Sequence, residues 1–204
     1  MGRSVARDHE EKRAAILKGA ARVFARDGVA GASMAGVAAE AGVSKGVLYH
    51  YWDGKDALLF DVLDASLARL RDVVVRETAL EPMLRAILLA YEGMDDEHRI
   101  QAEGMARLDP ARAGVLRAHQ REMVAALSAV LAREAPELAG RELRAAAMSV
   151  FGMLNWFYMW QPGADRAARV AYVRTVAAIV EGGVERINVQ CPVSYSTTTR
   201  SVSG

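Results

Sequence analysis

The stretch from Ser33 to Lys55 constrains this chain more than any other, because its residues occur at the spacing of two short helices joined by a tight turn. Ser33 is predicted to cap the first helix, since its hydroxyl can accept from the free amides of the opening turn. Gly42 ends that helix, because glycine takes the left-handed backbone conformation at little steric cost. Ser44 then caps a second helix that begins at Lys45. The stretch therefore predicts a helix-turn-helix.

The spacing also predicts which side chains of this stretch face inward. Ala38, Gly42 and Leu48 supply the small side chain, the bare turn and the apolar anchor that two steeply crossing helices need. With Leu48 and Trp52 inward, the outer face of the second helix can reach base edges and phosphate oxygens in a major groove. The predicted DNA-binding residues are Ser33, Ser44, Lys45, Gly46, Tyr49, His50 and Lys55. For the short pattern A-x-x-x-G-V-S alone, an ordinary helical hairpin is the alternative.

The longer run AxxAGVSKGxLYxYWxxKDAL resembles the signature of TetR-family transcriptional regulators, and the resemblance covers roughly residues 8–76. That family usually carries Thr at the position of Ser33 and His-Phe at the positions of Tyr51 and Trp52. Both changes keep the chemistry, because Ser still caps a helix and Trp still buries a ring. The resemblance implies an N-terminal three-helix DNA-binding domain, a larger helical domain that binds a small effector, and a homodimer that leaves its operator when the effector binds.

An all-α fold is predicted, because no strand pattern follows the helix-turn-helix and breaks at proline and glycine divide the rest into helices. The expected helices outside the motif span about 9–27 (capped by Asp8), 56–77, 82–94, 97–108, 111–135, 141–160 and 165–188. We expect a DNA-binding domain at residues 1–55 and an effector-binding and dimerisation domain at residues 56–188. Residues 189–204 are rich in Ser and Thr and are expected to be disordered.

Composition supports an ordinary globular protein. The chain has 204 residues, 52% of them hydrophobic, and a formal net charge of +1. Residues 1–55 hold nine basic and six acidic side chains, and this sign fits phosphate binding. The single cysteine, Cys191, excludes an intramolecular disulfide and points to a reducing cytoplasm. The charged N-terminus has no apolar run, so it does not read as a signal peptide.

Two helices near the C-terminus predict a dimer interface. Small residues recur at Ala145, Ser149 and Gly152, and the last helix carries an apolar seam with spacings of three and four. That seam consists of Val170, Val173, Ala177, Val180, Val184 and Ile187. We expect four helices, two from each chain, although the same stripes could instead lie inside one subunit. The uncharged run between Arg144 and Asp165 is too short in apolar residues to span a membrane.

The segment FGMLNWFYMWQPGAD resembles the penultimate helix of TetR-type regulators that sense acyl-CoA thioesters in fatty-acid, steroid or phenylacetate catabolism. Flexible apolar and aromatic side chains there suit an acyl or aryl group. The predicted ligand-binding residues are Met105, Met123, Phe151, Asn155, Trp156 and Met159. A CoA ligand would also need cations for its phosphates, and the candidates are Arg107, Arg112, Arg117 and Arg121. Ordinary core packing and solvated surface arginines are the alternatives.

The sequence carries no glycine-rich phosphate loop, no G-x-S-x-G elbow and no H-E-x-x-H pattern, so we do not expect an enzyme. No cofactor or metal site is predicted, since the four histidines are scattered. We predict a homodimeric repressor that binds a palindromic double-stranded operator and is released by a lipophilic effector. The alternative is a helix-turn-helix regulator without a small-molecule effector, acting constitutively or under a partner protein.

Overall fold

The computed structural model describes residues 2–187, and the surroundings of the side chains at residue 7 and residues 9–183. Within residues 2–187 the chain forms ten α-helices and no β-strand. The helices are α1 Gly2–Gly31, α2 Met34–Glu40, α3 Lys45–Tyr51, α4 Lys55–Val74, α5 Leu80–Ala90, α6 Asp95–Arg107, α7 Pro110–Glu134, α8 Gly140–Asn155, α9 Phe157–Trp160 and α10 Arg166–Ile187. The predicted tail 189–204 and Cys191 lie outside the described residues. The all-α prediction is confirmed.

Helix α1 is longer than the sequence indicated. It begins at Gly2, so Asp8 lies inside the helix and the predicted cap there is wrong. No proline occurs before Asp8, and nothing in the local sequence therefore stops the helix from extending further back. The backbone of Gly28 has φ 72° and breaks the helix near its end, where the sequence places a stop. Apolar side chains recur at helical spacing along α1 and are buried, including Ile16 and Phe24.

Helix α4 is the central helix of the molecule, and it packs against α1, α5, α6 and α7. Its buried side chains recur at helical spacing and are Leu58, Leu59, Val62, Leu63, Leu67, Leu70 and Val74. Helix α6 approaches α4 closely at Gly104, where a Cβ atom would lie 2.9 Å from Leu63 Cδ1. Because α6 also packs on α1, it connects the N-terminal helices with the rest of the chain.

The last helices correct one prediction. Val173, Ala177 and Val180 of α10 are buried within this single chain, because α10 packs on α5 and α8. That part of the predicted seam therefore belongs to the core of the subunit, while the side chains of Val184 and Ile187 lie outside the described residues. The predicted helix 141–160 is interrupted at Trp156, which separates α8 from α9. Across residues 2–187, no helix is both long and apolar enough to cross a bilayer.

Candidate functional site

Helices α2 and α3 are fixed by side-chain caps at both of their N-termini. The Ser33 hydroxyl accepts a hydrogen bond from the Gly36 amide at 3.1 Å, and the Ser44 hydroxyl accepts one from the Val47 amide at 3.3 Å. Each cap satisfies an amide that has no partner within its own helix. Between the helices Gly42 has φ 65°, a conformation that other residues adopt only with strain. The predicted helix-turn-helix is therefore present in its predicted register.

The second helix of the motif has a buried face and an exposed face. Leu48 is fully buried, and Trp52, just beyond the helix end, is 4% exposed. The exposed residues of the outer face are Lys45, Gly46, Tyr49 and His50. Tyr49 exposes 53% of its surface. The face thus offers one cation, a phenol, an imidazole and a bare backbone position to a ligand outside.

A partly buried polar contact positions the end of α3. The Trp52 indole donates to Asp61 Oδ2 at 2.7 Å, and Arg13 Nη2 lies 2.5 Å from the same oxygen. The Arg13 guanidinium also lies 5.9 Å from the centroid of the Trp52 ring. Side chains of α1 and α4 therefore hold Trp52 from two sides. This contact explains how Trp replaces the usual Phe without leaving its N–H group unsatisfied.

Lys55 has a different environment from the one expected of a phosphate contact. Its ammonium donates to the carbonyl oxygens of Ala30 and Ala32, at 2.9 and 3.0 Å. These carbonyls follow the Gly28 break, so Lys55 fastens the end of α1 to the start of α4. Two of the three ammonium donors are used in this way, and one donor remains available to a phosphate.

The C-terminal helices enclose a second candidate site, a cavity of about 380 Å³ between α4, α5, α6, α7 and α8. Its base is apolar and buried, and consists of Leu67, Leu70, Tyr91, Met123 and Phe151. Gln101, Gln120 and Val124 line its walls, and Arg117, Arg121, Arg144, Met148 and Asn155 are exposed around its mouth. The cavity therefore joins an apolar interior to a polar opening, as small-molecule sites commonly do.

Three of the six predicted ligand-binding residues line this cavity, namely Met123, Phe151 and Asn155. Trp156 and Met159 do not line it, since they are 62% and 51% exposed on the surface of the chain. Met105 lies behind the wall, where its sulfur accepts from the Gln120 amide at 3.6 Å. Sequence reasoning missed Arg144, although its spacing of four, seven and eleven residues from Met148, Phe151 and Asn155 places all four on one helical face.

The predicted arginines also divide into two groups. Arg117 and Arg121 line the cavity, one helical turn apart on α7. Arg112 instead pairs with Asp109 at 3.5 Å and lies 6.0 Å from the centroid of the Phe60 ring. Arg107 is exposed at the end of α6 and is not among the lining residues. Only half of the predicted cation set therefore faces the cavity.

A tyrosine at the base of the cavity connects it to α6. The Tyr91 hydroxyl donates to Asn155 Oδ1, and burial raises the pKa of Tyr91 above its ordinary value, so the hydroxyl stays protonated as a donor. The Tyr91 ring meets the His98 imidazole edge-on, with centroids 4.2 Å apart, and His98 stacks on Tyr158. Burial lowers the pKa of His98, which favours its neutral form.

A further histidine holds the cavity wall in place. His119 of α7 is buried, with Nε2 lying 2.9 Å from Asp64 Oδ1 and Nδ1 lying 3.0 Å from Arg71 Nη1. A guanidinium can only donate, so His119 Nδ1 accepts from Arg71, and the His119 Nε2–H group donates a hydrogen bond to Asp64 Oδ1. Both partners belong to α4. The contact therefore fixes α7 against α4 and keeps the two long walls of the cavity in register.

An exposed face of small and apolar residues runs along α8 and α10. Helix α8 exposes the predicted row Ala145, Ser149 and Gly152, together with Met148 and Trp156. Helix α10 exposes a parallel row on the side opposite to its buried valines, formed by Ala171, Thr175, Ala178, Ile179 and Gly182. Ile179 is 53% exposed. Small side chains allow two helices to approach closely, so this face, called here the outer face, is suited to helix packing.

Sequence comparison gives two family matches. Residues 16–62 match the profile described as bacterial regulatory proteins, tetR family, and residues 77–162 match the profile described as tetracyclin repressor-like, C-terminal domain. The chain is 33% identical over 94 residues to the HTH-type transcriptional regulator PksA of Bacillus subtilis. This aligned stretch covers 44% of this chain and 46% of PksA. The chain is 31% identical over 125 residues to the HTH-type transcriptional repressor AcnR of Corynebacterium diphtheriae, which covers 61% of this chain and 65% of AcnR. The matches span less than two thirds of either relative.

Solved structures share the fold over most of the chain. A TetR-family transcriptional regulator from Bordetella parapertussis is 29% identical, with a TM-score of 0.69 over 82% of this chain and 93% of that one. AibR, crystallised with isovaleryl coenzyme A and operator DNA, is 23% identical, with a TM-score of 0.66 over 82% of this chain and 97% of that one. The two profile matches lie on the helix-turn-helix and on the cavity helices, in that order. The chain belongs to the TetR family of bacterial regulatory proteins.

Proposed function

We propose that this protein is a homodimeric transcriptional repressor that binds a palindromic operator through α3 and leaves it when a lipophilic effector, an acyl-CoA thioester, occupies the cavity. The observation that carries the proposal is the exposed DNA-facing side of α3. Lys45, Tyr49 and His50 are exposed there on a helix that Ser44 caps and Leu48 anchors. Such a face provides a phosphate contact and two groups able to reach base edges.

The outer face of α8 and α10 supports the homodimer. Two copies of this face would form a four-helix interface, in which rows of small residues allow close packing and Ile179 and Trp156 add apolar area. A two-fold dimer carries two copies of α3, and these match a palindrome whose half-sites lie about 34 to 36 Å apart or a multiple of that distance. The effector then acts by favouring a dimer whose two α3 helices no longer match that spacing.

Several observations support an acyl thioester as the effector. The cavity has an apolar base and a cationic mouth, and AibR, which shares the fold, was crystallised with isovaleryl coenzyme A.

The domain division at residues 55 and 188 also remains part of the proposal. Helices α1 to α3 carry the DNA-facing surface, and the cavity lies among the helices that follow.

The test begins with selection of bound duplexes from a random pool by the full chain. We expect enrichment of a palindrome, binding by two chains per site, and release by at least one CoA thioester. K45A and Y49A are each expected to weaken binding roughly tenfold or more, because each removes a contact to the duplex. R85A, an exposed arginine on α5, is the matched control and should bind as the parent does. A pool that yields no enriched sequence would contradict the proposal.

A further inference from the structure

The cavity lining carries three positive charges and no negative charge. Arg117 and Arg121 come from α7 and Arg144 comes from α8, and none of the thirteen lining residues is Asp or Glu. No acidic side chain of the lining offsets these charges. The opening therefore presents a net positive charge, which favours an anion over a neutral ligand.

The three arginines also differ from many others in the chain by having no internal partner. Arg13, Arg22, Arg26 and Arg71 each have a carboxylate oxygen within 4.0 Å. Within the described part of the chain, Arg117, Arg121 and Arg144 have neither a carboxylate at that distance nor any hydrogen-bond acceptor. Each guanidinium offers five donors in a planar fork that matches a carboxylate or a phosphate. These donors are free to bind an oxyanion from outside the chain.

We propose that the cavity binds an amphipathic anion, with its negative group held by Arg117, Arg121 and Arg144 and its apolar chain against Leu67, Leu70 and Phe151. The inference rests on the proposed function, because it names the ligand chemistry of the same cavity. The group that the guanidinium side chains recognise is an oxyanion, either the carboxylate of a free acid or the phosphates of a coenzyme A thioester. A neutral lipophile has no such group.

The size of the cavity limits the apolar chain. A volume of about 380 Å³ lies near the lower end of the range of about 300 to 1,000 Å³ for small-molecule sites. A short or branched acyl or aryl group fits that space, and the nucleotide part of a thioester stays outside at the mouth. At the mouth, the side-chain oxygen of Asn155 already accepts from the Tyr91 hydroxyl. The Asn155 NH₂ group is therefore what remains to donate to a ligand carbonyl.

Binding of the anion would connect two helices. Arg117 and Arg121 are one turn apart on α7, whereas Arg144 lies in the second turn of α8. An oxyanion that contacts both groups draws α7 and α8 together at the mouth. Arg144 is thus a specificity-determining residue, because without it the anion contacts one helix only.

The experiment is isothermal titration of the full chain with four probes that share one short branched acyl group. The probes are the CoA thioester, the free acid, its neutral methyl ester and CoA alone. We expect at least one anionic acyl probe to bind, the methyl ester to bind at least tenfold more weakly, and affinity to fall as ionic strength rises. Binding of the thioester without the free acid assigns the arginines to phosphate, and equal binding of the two assigns them to carboxylate.

Three variants test the residues directly. R117Q, R121Q and R144Q each remove a charge from an exposed helical position, and each is expected to weaken binding of the anionic probe roughly tenfold or more. R107Q is the matched control, because Arg107 is an exposed arginine that does not line the cavity, and it should change affinity less than twofold. Operator binding in the absence of ligand serves as the folding control for all four variants.

Two results would overturn the inference. One is a methyl ester that binds as tightly as the anions. The other is a probe that binds all three variants as it binds the parent. Either result leaves the proposed function standing if that probe still releases operator. If no anionic probe binds while operator is bound, this inference is wrong, and the proposed function still stands if a CoA thioester of another acyl group releases the operator.

Discussion

The helix-turn-helix and the cavity region differ in how far they satisfy their own polar groups. In the helix-turn-helix framework the serine caps, the Trp52 indole and the Lys55 ammonium all bind partners within the chain. At the cavity mouth Arg117, Arg121 and Arg144 find no such partner among the described residues. The framework that holds α3 is thus satisfied within a single chain, whereas at the cavity mouth three guanidinium groups are left available to a partner. A surface that is held rigid needs its supporting polar groups paired within the chain, whereas a ligand site needs polar groups left unpaired for the ligand.

The same substitution placed in both regions gives the largest expected difference. L48A should lower the free energy of unfolding by about 2 to 5 kcal/mol, since Leu48 is fully buried and its removal leaves a void. L70A should cost less, because one side of Leu70 already faces the cavity and has fewer packed atoms to lose. Urea denaturation of both variants measures the difference. A larger loss of free energy of unfolding for L70A than for L48A would contradict this difference between the two regions.

A second test concerns α6, which packs against both regions. G104A should destabilise the protein by about 1 to 3 kcal/mol, because the new Cβ would lie 2.9 Å from Leu63 Cδ1 and 3.3 Å from Leu59 Cδ1, and both fully buried leucines would have to shift. G114A on α7 is the matched control. Its Cβ meets open space, so the gain in helix propensity should stabilise by about 0.5 to 1 kcal/mol. Thermal melts of the two variants should therefore shift in opposite directions, and shifts of the same sign would contradict the close approach.

The smallest expected effect is the pH dependence that His98 introduces. Burial lowers its pKa in the folded state below the ordinary value of 6.5, so the unfolded chain binds a proton more readily. Stability attributable to neutral His98 is therefore present above about pH 6.5 and is lost as pH falls toward the folded pKa. The loss cannot exceed about 1.4 kcal/mol per pH unit for one proton.

H98F keeps an aromatic ring between Tyr91 and Tyr158 and removes the titrating group. Its free energy of unfolding, measured by urea at several values between pH 5 and pH 8, should fall less steeply toward acid than that of the parent protein. Parallel curves for the two proteins would show that the burial of neutral His98 does not contribute to the pH dependence.

The helix-turn-helix could be predicted from sequence because its determinants are local. Ser33, Gly42 and Ser44 act on amides within three residues or through their own backbone angles, so no knowledge of distant helices is needed. The burial of Leu48 and Trp52 follows from the same register. The Trp52 partner could not be foreseen, because Asp61 and Arg13 reach it from two other helices.

The cavity could be predicted only in part because five helices assemble it. Periodicity finds the apolar stripe of α10, but it does not say whether α5 and α8 or a second chain covers that stripe. In this molecule α5 and α8 cover it, and the unpartnered small residues lie on the other side of the helix. The spacing of Arg144 from Phe151 and Asn155 could have placed it on the cavity side of α8. That it joins Arg117 and Arg121 could not be foreseen, because this depends on how α7 packs on α8.

Helix α8 contributes to two surfaces at once, since Arg144 and Met148 line the cavity while Ala145 and Gly152 lie on the outer face. Neighbouring positions on one helix therefore belong to both the proposed ligand site and the proposed subunit contact. Conversion of this protein into a biosensor for a new compound would meet that overlap directly, because substitutions on α8 would disturb both surfaces. Libraries are better placed at Leu67 of α4 and Val124 of α7, which line the cavity from helices that lie outside the outer face.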